Sequence, residues 1–460
     1  MNSIVKCPVR DKILVEKCNN PDIECPVRDK IKYCVPDGTL ESSDIPDFYQ
    51  YQIPNGITKQ YLTTNKLSNF LTQRRKVEKK KIFATLRLCV HNILFILLLA
   101  SCVSNENSLN QPSKGNRYAS GFEIENNPNG FEIKILSPWM GSSKKQFRYS
   151  LKRNINEPAI NTVEHQTIQV PVKKVAVMST SHLAMIESLG FIASVAGFSE
   201  KQYVNSSKFW EHNDTSDVVQ IGYEHALDIE NLIKLKPDVV FMYGLSSAVM
   251  PSTELLIKKG IPIVFVSDFN ELYPLAKLEW IRFVSCFYDY LQTADSIVNY
   301  KIDKYLEVKK KVENVKSYPT VLTGFPWRNV WNIPGSNTTT ATFIKDAGGK
   351  YVFEHLNQKI NYTLSIEEVF MQASQSDFWI NTSIAEDISY ILSVDSRFSN
   401  FKAAQTKNIY NNNKKRNRAG GNDFMESGIM NPEIILADLI SILHPELMEG
   451  YVAGYYYRLE

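Results

Sequence analysis

Leu227-Asp-Ile-Glu-Asn-Leu232 and Leu364-Ser-Ile-Glu-Glu-Val369 are two versions of one phrase. In each, an apolar residue precedes a helix-capping side chain (Asp228, Ser365), and a glutamate (Glu230, Glu367) falls in the first turn. Glu368 completes a capping box in the second copy. A short helical run follows each phrase, then an aspartate opening an apolar strand: Asp238-Val-Val-Phe241 and Asp377-Phe-Trp-Ile380. A helix feeding a short buried strand is the building unit of a parallel α/β sheet, and its repetition predicts two similar lobes.

The surroundings extend the pattern. Before the first copy come a strand, Val175-Ala-Val-Met178, a polar loop, Ser179-Thr-Ser-His182, and a helix from Leu183 to Leu189 closed by Gly190. After it come a helix from Glu254 to Lys259 closed by Gly260, and the strand Ile261-Pro-Ile-Val-Phe-Val266. The second copy follows a strand, Thr320-Val-Leu-Thr323, and a polar–aromatic loop, Gly324 to Thr340. Between the two series, Leu275 to Val315 contains no Gly or Pro and repeats apolar residues at helical spacing: Trp280, Phe283, Val284, Phe287, Leu291, Ala294. This predicts a long linking helix, continuous or broken near Thr293. Upstream, alternating residues either side of Asn127-Pro-Asn-Gly130 predict a β-hairpin. Ligands of open α/β sheets bind beyond the carboxyl ends of the strands, so a cleft between the lobes is the expected site.

Composition sets the class. With 43% hydrophobic and 22% charged residues in 460, the chain has apolar material for two cores, and a net charge of +3 gives no reason to expect a nucleic-acid partner. Cys286 is the single cysteine after Cys102, so no disulfide framework is expected in the folded part. A basic run, Arg74 to Lys81, precedes an apolar stretch that ends in Ile93-Leu-Phe-Ile-Leu-Leu-Leu-Ala100, then Ser101-Cys102. That order is a secretory signal too short in its apolar core to span a bilayer. Leu99-Ala100-Ser101-Cys102 resembles a bacterial lipobox, which makes Cys102 the expected lipidation site. The expected organisation is a signal over 74–102, a polar tether over 103–116, a first lobe with its β extension over 117–273, a linking helix over 274–315 and a second lobe over 316–460. A signal belongs at an N terminus, so residues 1–73 are read as a polar extension from a mis-assigned start. They carry the repeat Cys7-Pro-Val-Arg-Asp-Lys-Ile13 and Cys25-Pro-Val-Arg-Asp-Lys-Ile31. A zinc site on their four cysteines is conceivable, but the spacing matches no usual finger.

Taken in order, Val175 to Gly190, Ile229 to Val240 with its Leu-Lys-Pro-Asp238, Gly260 to Val266 and Asp346-Ala-Gly-Gly349 resemble the periplasmic binding proteins of iron-siderophore, haem and cobalamin importers. Tyr410 to Asn413 and Gly420 to Gly428 resemble a Bacteroidetes-type lipoprotein subgroup of that family. The resemblance implies a helical-backbone α/β fold, two Rossmann-like lobes joined by a long rigid helix, with modest closure. It implies partners as well: an ABC permease with its ATPase, a membrane reached through a lipid anchor, and a metal-chelate small molecule taken by a monomer. The envelope location would be periplasmic, at the inner or outer membrane. One exposed carboxylate per lobe would dock on the permease, and the matching positions are Glu230 and Glu367. The helix dipole alone also favours a carboxylate at both.

Candidate ligand contacts follow from chemistry at strand ends. Gly324-Phe-Pro-Trp-Arg-Asn-Val-Trp331 offers Trp327 and Trp331 for stacking and Arg328 for carboxylates. Tyr223, Tyr243 and Trp210 are candidates from the first lobe, with Ser181 and His182 after its first strand. Arg416 and Arg418, beside Asn422 and Asp423, are candidates for the cleft rim. His182 reads either as a ligand to a bound metal complex or as a structural imidazole. No cofactor, resident metal or catalytic residue is expected, since G-x-S-x-G, H-E-x-x-H, Walker and G-x-G-x-x-G patterns are all lacking in the sequence. The competing class is a secreted two-lobed enzyme, such as a metal chelatase or hydrolase.

Overall fold

A computed structural model describes residues 112–460, apart from 140–141, 143–145, 156–157, 213–217, 224–225, 245–249 and 358–359, and two short strands near the start. Those two, Ile4–Lys6 and Leu14–Glu16, pair antiparallel within a unit of their own. The signal, Cys102 and most of the tether lie outside the described residues.

The first lobe is a parallel sheet built from β5 (Val175–Val177), β6 (Val195–Phe198), β7 (Val219–Gln220), β8 (Val239–Met242) and β9 (Ile263–Phe265), in spatial order β9-β8-β5-β6-β7. The second lobe orders β12 (Lys350–Tyr351), β10 (Thr320–Thr323), β14 (Phe378–Ile380), β15 (Ile409–Asn411) and β16 (Tyr457–Arg458) side by side, with β16 antiparallel. The connections reverse direction beside β5 in one lobe and between β10 and β14 in the other, so the loops after these strands border the natural binding crevices.

The repeated phrase has the same physics in both lobes. Asp228 caps α2 (Ile229–Leu235) through the Asn231 N–H, and Ser365 with Glu368 forms a capping box on α6 (Ile366–Ala373). Asp238 then accepts backbone N–H bonds from Lys173 and Lys174 at 2.7 and 2.9 Å, while Asp377 accepts from the Thr320 N–H and hydroxyl, both at 2.7 Å. In each lobe the aspartate before one strand pins the start of its neighbour.

The predicted hairpin is part of a larger extension. β1 (Phe122–Asn127), β2 (Gly130–Ile135), β3 (Phe147–Lys152) and β4 (His165–Gln169) form one four-stranded sheet. Gly130 closes the turn at a φ of 143°, where any Cβ would stand 2.0 Å from the Leu151 carbonyl oxygen. The extension covers the outer edge of β9. Gln166 exchanges two hydrogen bonds with the backbone of Ile263, and the Tyr149 hydroxyl accepts from the Phe265 N–H. An unpaired sheet edge is thereby closed.

The linking segment is not one helix. α3 (Pro274–Phe287) is buried in the first lobe, and α4 (Leu291–Lys310) begins after a break at Tyr288-Asp289-Tyr290. Asp289 adopts a left-handed φ of 55°, and its carboxylate is held by Arg153, just past β3, in two bonds of 2.7 and 2.6 Å. Arg282 of α3 pairs with Asp295 of α4 at 2.6 Å, which means that the chain folds back on itself. The link is therefore α4 alone, 20 residues and about 30 Å long. Its far end is tied to the second lobe by Tyr305 and Lys309, both on Asp346, and by Lys301 on Glu433.

The loop expected over 324–340 contains a strand. β11 (Val330–Pro334) pairs with β13 (Asn361–Ser365) as an antiparallel arm. Trp331 lies in this strand, fully buried against Phe325, Trp379 and Phe398, and donates its indole N–H to the Thr323 carbonyl. It is a core residue and not a ligand contact.

Candidate functional site

The lobes meet through α1 (Thr180–Ser188) of the first and a segment of the second, α7 (Asp423–Glu426) with the turn Ser427–Met430. Two cavities flank this contact. One, of about 420 Å³, is bordered by Ser179, Thr180, Ser181 and Lys277 of the first lobe and by Thr339, Thr340 and Phe424 of the second. The other, of about 450 Å³, lies between Glu187 and Ser206 on one side and Arg416, Asp423 and Glu426 on the other. The first has an apolar wall (Phe269, Phe343, Phe424, Met425, Ile429, Ile435), and its volume sits in the lower part of the range typical of small-molecule sites.

Helix starts position its polar groups. Ser179 caps α1 and accepts from the Ser181 N–H; Thr338 caps α5 (Thr339–Asp346) and accepts from the Ala341 N–H. α3 and α8 (Pro432–Leu443) both begin with a proline that borders the cavity.

The contact between the lobes is polar and close. The buried Glu426 accepts the backbone N–H groups of Asn205 at 2.7 Å and Ser206 at 2.9 Å. Burial raises its carboxyl pKa to about 7. Asn417 donates to the carbonyls of Gln202 and Val204. A Cβ on Gly421 would come within 2.0 Å of the Tyr203 carbonyl oxygen, so only glycine permits this approach.

The structure sorts the sequence candidates. Ser181 borders the apolar-walled cavity and Arg416 the other, where it stands 3.5 Å from Glu386. Arg418 is exposed on the same loop. His182 is buried, with Nε2 3.2 Å from Asp268 Oδ1; it works behind the cavity as a support for Asp268, which corrects its reading as a direct contact. Trp327 is 66% exposed with Arg328 stacked 5.6 Å from its ring, and neither lines either of these two cavities. Tyr223 is exposed, Tyr243 is half-buried against the core, and Trp210 donates to the Val204 carbonyl. Glu230 and Glu367 are exposed in the first turns of α2 and α6, paired with Lys234 and Arg397. The reading from sequence missed Lys277, Phe343 and Glu426. Phe424 to Glu426 fall inside the Gly420–Gly428 stretch already singled out, but Lys277 is one lysine in a helical run. Among the described residues no group of His, Cys, Asp or Glu is placed to hold a metal ion, and no helix is long and apolar enough to cross a membrane.

The chain is similar to several known proteins. Residues 175–415 match the family model for "Periplasmic binding protein". An uncharacterised lipoprotein of Methanocaldococcus jannaschii is 24% identical over 297 residues, 62% of this chain and 68% of its own. A second uncharacterised protein of that organism is 23% identical over 320 residues, covering 66% and 92%. Among solved structures, the molybdate-binding MolA of Haemophilus influenzae aligns with 64% of this chain and 93% of its own, at 16% identity and a TM-score of 0.49. The haem-binding RhuT of Roseiflexus aligns with 60% and 99%, at 16% identity and a TM-score of 0.45. With the family model matched over more than half of its length, the chain belongs to the periplasmic binding protein family: it is an envelope protein that binds a solute, and not an enzyme.

Proposed function

We propose that this chain is the substrate-binding lipoprotein of an ABC importer, held at the membrane by a lipid on Cys102. Acting as a monomer, it captures a metal-chelate solute (an iron–siderophore, haem or corrinoid) and hands it to the permease and its ATPase. The observation that carries the reading is the cavity of about 420 Å³ built from both lobes at the ends of their strands. A site shared between two bodies changes shape when they part, which is what capture and release require. The volume favours the more compact chelates in the closed arrangement. Native mass spectrometry and absorbance titration with ferric siderophores, haem and corrinoids test this directly. One class should form a stoichiometric complex, and failure of all three would overturn the ligand assignment. A lipid-modified N-terminal Cys102 in the mature protein would support the anchor, and an unmodified chain beginning at Met1 would refute it.

Glu230 and Glu367 are the docking groups in this reading. They occupy matching first-turn positions in the two lobes, exposed to a basic partner. The double variant Glu230→Lys/Glu367→Lys should retain solute affinity yet lose about 10-fold or more in uptake, as like charges meet at the permease. Normal uptake by that variant would remove them from the docking surface.

A further inference from the structure

We propose that the solute held in the apolar-walled cavity is an organic anion: its acidic group faces Lys277 and the hydroxyl-bearing helix starts, and its body packs on the phenylalanine wall. The inference rests on the binding-protein reading and adds a charge and a polarity to the solute.

Lys277 is the leading observation. It borders the cavity from the first turns of α3 and is in no ion pair among the described residues. Its one hydrogen bond, to the Phe269 carbonyl, is long at 3.4 Å. An ammonium carries three donors, so at least two remain for a ligand. Burial lowers its pKa, and the carboxylates of Asp268 and Glu271 oppose that shift. This half-buried cation has two carboxylates as neighbours but a direct ion pair with neither. Asp268, the acidic group on the cavity wall, is engaged by His182. Glu271 is turned away, accepting the N–H groups of Ser120 and Gly121 and the indole N–H of Trp280.

The backbone adds to the same sign. Four helices of eight or more residues present their N-terminal residues to this one cavity: α1 through Thr180, α3 through Pro274, α5 through Thr339 and α8 through Pro432. Each start carries a partial positive charge, and four starts on one cavity add to the same sign as Lys277. The side chains of Thr180 and Thr340 make no hydrogen bond among the described residues, so their hydroxyls are available to an oxyanion. The same cavity is lined by Phe269, Phe343, Phe424 and Ile429, apolar surface suited to a flat or branched body.

The test uses two probes of one shape, 2-naphthoate and its neutral amide, titrated calorimetrically against the full mature protein. The carboxylate should bind at least about 10-fold more tightly than the amide. Lys277→Met should abolish that preference with the unfolding midpoint unchanged, and Lys277→Arg should restore it. Equal binding of the two probes, binding of neither, or a preference that survives Lys277→Met would overturn the proposal. The outcome is separable from the chelate assignment: if siderophores, haem and corrinoids all fail to bind while naphthoate binds through Lys277, the importer's cargo is reassigned and the anion site stands.

Discussion

Glu279→Ala should lower unfolding free energy by about 3–5 kcal/mol, because it orphans three consecutive backbone donors. The Glu279 carboxylate, buried on α3, accepts the N–H groups of Arg117, Tyr118 and Ala119 at 3.0, 2.8 and 2.6 Å. Glu271 continues the series with Ser120 and Gly121. Five successive peptide groups are thus held by two carboxylates, at the point where the chain coming from the expected tether joins the first lobe. An unsatisfied buried donor costs about 1–3 kcal/mol, and water reaches part of this segment, which keeps the total below the simple sum. Glu279→Gln keeps one acceptor oxygen and should lose about half as much. Denaturant midpoints give the free energies, and amide exchange at 117–119 should accelerate in the alanine variant ahead of that in β1. A midpoint within 0.5 kcal/mol of the parent, a margin about that of an ordinary surface substitution, would show that the strap is held by other contacts.

Glu426 should make the closed form pH-sensitive. Its folded pKa is about 7 because burial outweighs the N–H bonds that favour the carboxylate. A carboxyl raised on folding takes up a proton between its unfolded value, near 4.5, and about 7. Its stabilising contribution is complete below pH 4.5 and is lost as pH rises through 7, a swing of about 3 kcal/mol at most. The charges facing it are Glu187 across the cavity from α1, and Asp423, Lys415 and Arg416 on its own side. Glu426→Gln removes the titration, so the difference in stability between parent and variant should change with pH over this window and be flat below pH 4. Other groups, such as His165, whose pKa burial lowers, titrate equally in both proteins and cancel. Glu426→Ala should also separate the lobes, read as a larger radius of gyration in solution scattering. A parent–variant difference that is constant from pH 4 to pH 8 would refute the assignment.

Much of the frame was legible because its determinants are local. Asp228 and Ser365 cap helices within three residues of themselves, and the two lobes follow from reading those phrases as copies. The aspartates of the repeated unit hid a second role: Asp238 and Asp377 each pin a strand about sixty residues away in the chain, which no window on sequence exposes. The break between α3 and α4 was placed near Thr293 at best, because Tyr288-Asp289-Tyr290 contains no Gly or Pro. Asp289 tolerates its left-handed backbone with Arg153, just past β3, holding its carboxylate. Trp331 misled for a related reason. Gly324 and Pro326 beside it signal a loop, but the ladder with β13 that buries it is non-local. The cavity depended on how two bodies pack, so Ser181 was found from its place after β5, whereas Lys277 was lost in a run of helix.

The most direct test of a solute clasped between the lobes is to fill the space. Thr340 borders the apolar-walled cavity from the second lobe, facing Ser181 and Lys277 of the first. The dissociation constant of the best-bound solute, measured on Thr340→Trp with an unchanged unfolding midpoint, should rise by about 100-fold or more, some 2.7 kcal/mol. Undiminished affinity in that variant would place the solute elsewhere and contradict the account.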